Sequence, residues 1–464
     1  MSLPLSAALS AALVSTTRAR RLLAMLTTTV ALVLVGGVSA GMAVAPTADA
    51  APPNRTPQPG EVFNGYVVGT FTSGRMASPQ EIITPLVSGD PFYTEPALRG
   101  GEKPGTLLKA KKVDVQFTGF RPGDLDAYKL MYVSRGLHDE PDISTGILMV
   151  PRDGRTNRKL VGYQYANDSV GAYCHPSTMM TGGDPMDGAV WSALGPLAQM
   201  FGKGYAVMVS DVGNDGDPQP HGVFAGKAAA NMMLDGLRAA LAHEPAKLPA
   251  TTPISLFGVA GGGVGAAFAA ENAARYAPEL NIKGTVLEGM VVDQRNFIRT
   301  ADGSLGSGFA FATLLGLEPR YPEMRIDDKL TPAGKALADV FRTQCQTPAY
   351  FGTPFVPLRT LFTGNRDPAD IPEFQHVYRD NRLGTRSPDA PVLIASCARD
   401  DSPMSLIPAA DARTLAGTYR RGGTRVDYQP TDCSMLHFLT DMYGWGTDLF
   451  GMQTIDWMSA RLES

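Results

Sequence analysis

The stretch "ISLFGVAGGGVGAAFAAENAARYAPEL", Ile254 to Leu280, limits the fold more than any other in the chain. Ile254–Phe257 is a short apolar run ending at a glycine, the form of a buried strand. The alanine-rich residues that follow have the composition of a helix. Between them Gly258, Gly261 and Gly262 carry no side chains, so the strand can turn directly into the helix and the two backbones can approach closely. Such a junction belongs to a sheet whose strands are joined by crossover helices.

The rest of the chain keeps to that pattern. Ala127–Arg135 and Thr145–Pro151 read as strands on either side of a turn-like segment, and Lys159–Ala166 and Tyr205–Asp211 as apolar strands. Ala225–Glu244 is strongly helical in composition, and further strands are expected over Ile282–Met290, Pro391–Cys397 and Thr424–Pro430. The fold class is therefore α/β, with a mostly parallel sheet. Between about Asp293 and Asp389 the strand signal disappears, while "TPAGKALADVFRTQC" is helical and Pro-rich loops surround it. Residues 293–389 read as a mainly helical subdomain inserted into a core formed by 51–292 and 390–464. Residues 51–90, rich in Pro, Gly and Thr, read as an irregular N-terminal arm.

Arg18, Arg20 and Arg21 precede a mostly apolar stretch that ends at Ala48-Asp49-Ala50, the order of parts in a secretory signal peptide cleaved near Ala50. The expected location is extracellular, and about 410 residues remain after cleavage. With 44% apolar and 19% charged residues and a net charge of −4, the chain has the makings of a large core and no basic footprint for nucleic acid. In an oxidising compartment Cys174, Cys345, Cys397 and Cys433 allow two disulfides, in any of three connectivities. No Cys or His spacing suits a metal, and no cofactor is expected.

A strand, a tight turn and a helix also form the nucleophile elbow, written G-x-S-x-G, of α/β-hydrolases. Here the steric part is present and the chemical part is absent, because Ala260 stands at the tip. An acid and then a histidine should follow downstream. Asp401 follows the strand Pro391–Cys397, and His437 follows Thr424–Pro430.

At these residues the chain resembles the secretory lipases, the family of lipase-A-type triacylglycerol lipases. "DPFYTEP" and "PGTLLKAKKV" are similar to its N-terminal segment, "VGYQYANDSVGAYCHPS" to its Asp-Ser loop and "MMLDGLRAA" to the helix before its elbow. "YAPELNIKG" resembles the stretch after the elbow helix, "DGSLGSGFAFATLLGLEPRYPE" the start of its cap and "CSMLHFLTDMYG" its histidine loop. The resemblance implies an α/β-hydrolase fold with a cap over the site. It implies His437 as general base, Asp401 as the acid that orients it, with Asp400 as the alternative, and an oxyanion hole from Gly261 N–H and Asp168. It also implies a Cys174–Cys345 bridge between the Asp168 loop and the cap. Cys397 and Cys433 end successive core strands, and a second bridge is expected between them.

Where the family has serine this chain has Ala260, which cannot form an acyl-enzyme. The expected protein binds acyl esters or lipids, with possible contact to a lipid interface through its cap, acts as a monomer and has its hydrolysis largely silenced. The alternative is an active lipase or carboxylesterase with a different nucleophile, although Ser255 lies in a strand and Ser304 and Ser307 have no elbow around them. A more distant alternative is dinucleotide binding, since Gly261–Ala266 fits G-x-G-x-x-A and Glu288 stands downstream. Trp191, Phe309 and Phe311 could line an acyl tunnel but read as core. His175 adjoins the Asp168 loop; His138, His221, His243 and His376 read as surface residues, and Asp215 and Asp217 as part of a solvated loop.

Overall fold

The computed structural model describes residues 75–87, 89–117, 119–214, 221–346, 350–401, 406–434, 436 and 453–464, all within the compact unit Thr56–Ser464. Its strands are β1 (Arg75–Met76), β2 (Leu107–Val113), β3 (Phe120–Arg121), β4 (Leu125–Arg135), β5 (Pro141–Pro151), β6 (Leu160–Gln164), β7 (Ala206–Ser210), β8 (Ile254–Val259), β9 (Ile282–Glu288), β10 (Val392–Cys397) and β11 (Val426–Thr431). The helices used below are α1 (Pro79–Val87), α2 (Pro176–Met179), α3 (Gly188–Gly202), α4 (Gly226–Ala242), α5 (Ala260–Tyr276), α6 (Gln294–Ala301), α7 (Ser307–Leu317), α8 (Pro332–Thr343), α9 (Gln375–Asp380), α10 (Ala409–Arg421) and α11 (Gln453–Leu462).

Nine strands form one sheet in the order β11-β10-β9-β8-β6-β7-β5-β4-β2. From β11 to β7 every neighbouring pair is parallel, whereas β5, β4 and β2 extend the sheet antiparallel. The central strands β6, β7 and β10 are buried along their whole length, which explains their unbroken apolar sequences. At one edge β2 carries the exposed Lys111 and Lys112, and at the other β11 carries Pro430; both features hinder pairing with a further strand.

Both faces of the sheet are covered. Leu256 and Leu287 face a core shared with α4 and α5, while Phe257 and Val286 face one shared with α3 and α11. The alternation along each strand sends consecutive residues to opposite cores. The segment between β9 and β10 contributes α6 to α9, short 3-10 turns and one isolated bridge, Leu330–Phe362, and its Phe311, Phe341, Phe362 and Phe374 continue the first core. Glu271 of α5 ties down the return from this segment. Its buried carboxylate accepts from the Gly384 N–H (2.6 Å), the Arg386 N–H (3.3 Å) and the Tyr419 hydroxyl (2.7 Å).

The N-terminal arm is less irregular than its composition indicates, because α1 forms within it. The Ser78 N–H donates to Glu81 (2.7 Å) and the Glu81 N–H donates to the Ser78 hydroxyl (3.3 Å), the reciprocal bonds of a capping box spelled out in "SPQE".

Helix α5 crosses the sheet at backbone contact. A Cβ on Gly262 would lie 2.2 Å from the Tyr165 carbonyl oxygen and 2.5 Å from that of Gln164. Gly262→Ala is expected to destabilise the protein by about 1–3 kcal/mol or more. Gly417→Ala on α10, whose new carbon meets only the flexible tip of Arg421 at 3.4 Å, should stabilise by up to about 1 kcal/mol. Urea denaturation of the two variants checks the contrast, and equal effects would contradict it.

Candidate active site

Strand β8 ends at Val259 in an extended conformation (φ −124°, ψ 134°), and the next residue, Ala260, turns to φ +49° as the first residue of α5. A left-handed conformation in a residue with a Cβ costs roughly 1–2 kcal/mol. The surrounding contacts enforce it. A Cβ on Gly258 would come within 2.4 Å of the Ala266 methyl carbon, so strand and helix leave no slack between them. Ala260 is half-buried at the carboxyl end of β8.

This point is also where the strand order reverses. From β6 the chain passes to β7 on one side and later to β8 on the other, so a crevice opens beyond the carboxyl ends of β6 and β8. The loop after β6 brings Asp168 into it. One carboxylate oxygen of Asp168 lies 1.9 Å from where a Cβ on Gly261 would be, so glycine is required there for the loop to reach the helix. Burial pushes the Asp168 carboxyl up to about 7, against the opposing pull of the Gly261 N–H, which favours its charged form. Asp187, which caps α3 by accepting from the Ala189 N–H (2.7 Å), is likewise raised to about 7, by burial first and then by the charges of Asp184 and Asp168. The arrangement holds a carboxyl that is protonated in part at neutral pH next to a helix N-terminus, where an oxygen bearing negative charge is favoured.

The backbone of this loop is gripped by residues of the β9–β10 segment. Asp168 N–H donates to Gln346 (2.9 Å), Gln346 N–H donates to the Ser169 hydroxyl (2.9 Å) and Tyr350 hydroxyl donates to the Asp168 carbonyl (2.6 Å). A Cys174–Cys345 bridge, with both cysteines buried, joins the same two regions, and Cys397–Cys433 joins the end of β10 to the segment after β11. Gln346 and Tyr350 left no mark in the sequence beyond their closeness to Cys345.

The histidines require correction. His221 and His243 are buried, not surface residues, with 1% and 6% of their surface exposed. His243 ends α4 and packs edge-on against Tyr128 at 4.4 Å, and the two ring nitrogens of His221 take backbone partners. Trp191, expected in the core, is 43% exposed, whereas Phe311 is buried against Phe341 at 5.5 Å. His376 is exposed and pairs with Glu323 (2.8 Å).

Asp401 is exposed and pairs with Arg399 (3.0 Å), while the adjacent Asp400 accepts from the Ala409 N–H at the start of α10 (2.6 Å). His437, Asp215 and Asp217 lie outside the described residues. The hydroxyls considered as replacement nucleophiles are bonded to carbonyl oxygens: Ser255 to Gly284 (3.0 Å), Ser304 to Ala301 (2.7 Å) and Ser307 to Ser304 (3.0 Å). Of the glycines of the dinucleotide pattern Gly261 packs against Asp168 and Gly263 against Met290, and Glu288 is buried and bonded to the Thr454 hydroxyl, so these residues serve the fold. Among the described residues no group of three His, Cys, Asp or Glu is placed to hold a metal. A cleft of about 160 Å³ between Ala270, Ala274, Pro278 and Asp389 lies toward the amino ends of the strands, away from Ala260. Ligand chemistry in open α/β sheets sits at the carboxyl ends, and the geometry around Ala260 is the better guide to the site.

A sheet with its crevice at the β6–β8 reversal, and a strained strand-to-helix junction at the mouth of that crevice, define an α/β-hydrolase. The solved structures agree on the fold: Candida antarctica lipase A in its closed state superposes with a TM-score of 0.66 at 22% identity, covering 78% of this chain and 87% of that one. A cell wall degrading esterase from Xanthomonas oryzae gives 0.56 at 16% identity, covering 74% and 96%. The chain belongs to the secretory lipase family, whose profile matches residues 193–464. A Mycobacterium tuberculosis protein named a probable inactive lipase is 31% identical over 75% of this chain and 78% of its own length. A secreted triacylglycerol lipase of Malassezia furfur is 28% identical over 77% and 73%. No helix among the described residues is long and apolar enough to cross a membrane.

The raised Asp168 carboxyl predicts a pH dependence of stability. Between about pH 4, where the unfolded carboxyl titrates, and about pH 7, the folded state binds the proton that the unfolded state releases. Stability is therefore lost as pH rises through this window, by an amount on the order of a few kcal/mol. Asp168→Asn should shrink the difference in unfolding free energy between pH 5 and pH 8, measured by urea denaturation, and should stabilise the protein at pH 8. An unchanged difference would show that the carboxyl is not held protonated by the fold.

Proposed function

We propose that this protein is an exported acyl-ester- or lipid-binding member of the lipase lineage whose hydrolysis is silenced at Ala260. The observation that carries the proposal is the conformation at that residue. A strained φ of +49° is retained at the tip of the strand-helix junction, beside Asp168 and Gly261, with a methyl group in place of an attacking oxygen. In this reading Gly261 N–H and Asp168 form the oxyanion hole, His437 is the general base and Asp401 orients it. Asp401 is preferred to Asp400 for its spacing within "CARDDSPMS"; Asp401 pairs with Arg399 and the Asp400 carboxylate accepts from the first turn of α10. Without the hydroxyl, His437 has no nucleophile to deprotonate, and only binding and a charge-stabilising hole remain.

Residues 1–50 act as the secretory signal and 293–389 as the cap. The names of the relatives support both export and a lipid ligand: one is a secreted triacylglycerol lipase and another a probable inactive lipase. Contact with a lipid interface is supported by exposed apolar side chains on α3 and the turn before it, on α8, and at Tyr173 on the seam between core and cap. Met186 is 67% exposed, Trp191 43%, Tyr173 40% and Val340 38%. Tyr173 bridges the seam, since its hydroxyl donates to the Thr343 carbonyl at the end of α8. Aromatic residues of this kind favour the boundary between water and lipid.

Restoring the hydroxyl tests the reading. Ala260→Ser is expected to raise the hydrolysis of a medium-chain p-nitrophenyl ester at least about a thousandfold over the unmodified protein. A folded serine variant that stays inert would refute the assignment of Asp168, Asp401 and His437. Substantial hydrolysis by the unmodified protein would refute its silencing.

A further inference from the structure

The Asp168 loop is held from two sides, and the grip opposite Gln346 and Tyr350 is a histidine with no part in the elbow chemistry. The backbone N–H of His221 donates to the Val170 carbonyl (2.9 Å). The Val212 N–H donates to Nε2 of its ring (3.1 Å), so Nε2 carries no proton. The proton resides on Nδ1, which donates to the Ser169 carbonyl (3.1 Å). Ser169 belongs to the loop after β6 and Val212 to the loop after β7, so one ring ties together the chain leaving two adjacent parallel strands.

The surroundings suit a neutral imidazole. The ring of His175 packs against it at 4.2 Å, and the Arg320 guanidinium, paired with Asp142, adds a nearby positive charge. Burial, helped by the Arg320 charge and opposed by the bond to Ser169, holds His221 down to about 4. The remaining polar groups of Ser169 are committed elsewhere: its N–H donates to Asn167 (3.0 Å) and its hydroxyl accepts from Gln346 N–H (2.9 Å). Of the bonds made by Ser169, the one from its carbonyl alone links it to the core beneath the sheet's carboxyl edge. That carbonyl is one peptide unit from Asp168.

We infer that His221 is the positioning residue of the Asp168 loop: by joining the Ser169 carbonyl to the Val212 N–H through its two ring nitrogens, it holds the Asp168 carboxyl against Gly261. The inference rests on the reading of Asp168 and Gly261 as the charge-stabilising pair, but its test does not require hydrolysis.

The experiment uses the full mature protein with Ala260 in place and compares it with His221→Phe, which keeps a buried ring and removes both nitrogens. Asp168 titration is followed by carboxyl-carbon NMR, with Asp168→Asn to identify the signal, and amide hydrogen exchange is followed over residues 167–170. In the parent the midpoint should lie at about 7. In His221→Phe it should fall below about 6, toward the ordinary carboxylate range, as the group gains solvent. Exchange over 167–170 should rise at least about tenfold, with circular dichroism and both disulfides retained. A purely space-filling role would leave the midpoint where it is, and an unmoved midpoint with unmoved exchange overturns the inference. If His221→Phe fails to fold, His221→Gln, which can keep one of the two bonds, is read in the same way: a smaller change in the same direction supports the inference and no change overturns it. An inert Ala260→Ser variant together with a shifted Asp168 midpoint removes the elbow reading and leaves His221 in its role. An active Ala260→Ser variant with an unmoved midpoint removes the role of His221 alone.

Discussion

Backbone packed directly on backbone, where α5 passes over the ends of β6 and β8, is the contact on which the rest of the structure depends. With no side chain on Gly258, Gly261 or Gly262, the helix axis comes close enough for Gly262 to touch the carbonyls of Gln164 and Tyr165. That approach leaves the chain no room for a gradual turn from strand to helix. The required change of direction is concentrated in one residue, Ala260, at φ +49°. A glycine there would relieve the strain, and its absence means that the packing on either side outweighs a cost of roughly 1–2 kcal/mol. The same approach delivers the Gly261 N–H to the Asp168 carboxyl, so a steric constraint also sets the electrostatics of the crevice.

Those electrostatics have two opposing parts. The start of a helix favours a negative oxygen, whereas burial favours a neutral one. At Asp168 burial prevails, since the carboxyl titrates near 7 despite the helix N-terminus beside it. The Asp168 charge in turn helps to raise the buried carboxyl of Asp187, after burial itself and the nearer Asp184. The loop withstands this because its backbone is bonded on both sides, to Gln346 and Tyr350 from the β9–β10 segment and to His221 from the core. The buried Cys174–Cys345 bridge makes the first of these attachments covalent.

Much of the architecture could be read from periodicity and punctuation. The strands β4 to β11 lie within a few residues of the apolar runs, and the strand-poor stretch after β9 adds no strand to the nine-stranded sheet among its described residues. The departures from composition are local. In the arm before residue 90 the Pro and Gly content masks the capping box of Ser78 and Glu81. His221 is buried because a neutral imidazole goes into the core at little cost when both ring nitrogens find partners, and His243 because it ends α4 against the Tyr128 ring. The apolar bulk of Trp191 suits a core, yet its place on the outer side of α3 leaves it half in solvent.

The order of residues by itself determined the alternation of strand and helix, the tight junction at 258–263 and the absence of a hydroxyl at position 260. These follow from which side chains are present, and local sterics suffice to interpret them. Only the tertiary structure decided that Asp168 meets Gly261, that Gln346 and Tyr350 reach the same loop and that the ring of His221 bridges Ser169 to Val212. Each of these joins residues far apart in the chain. Their meeting depends on strand order and on how closely one backbone can lie against another, which no short stretch of sequence specifies.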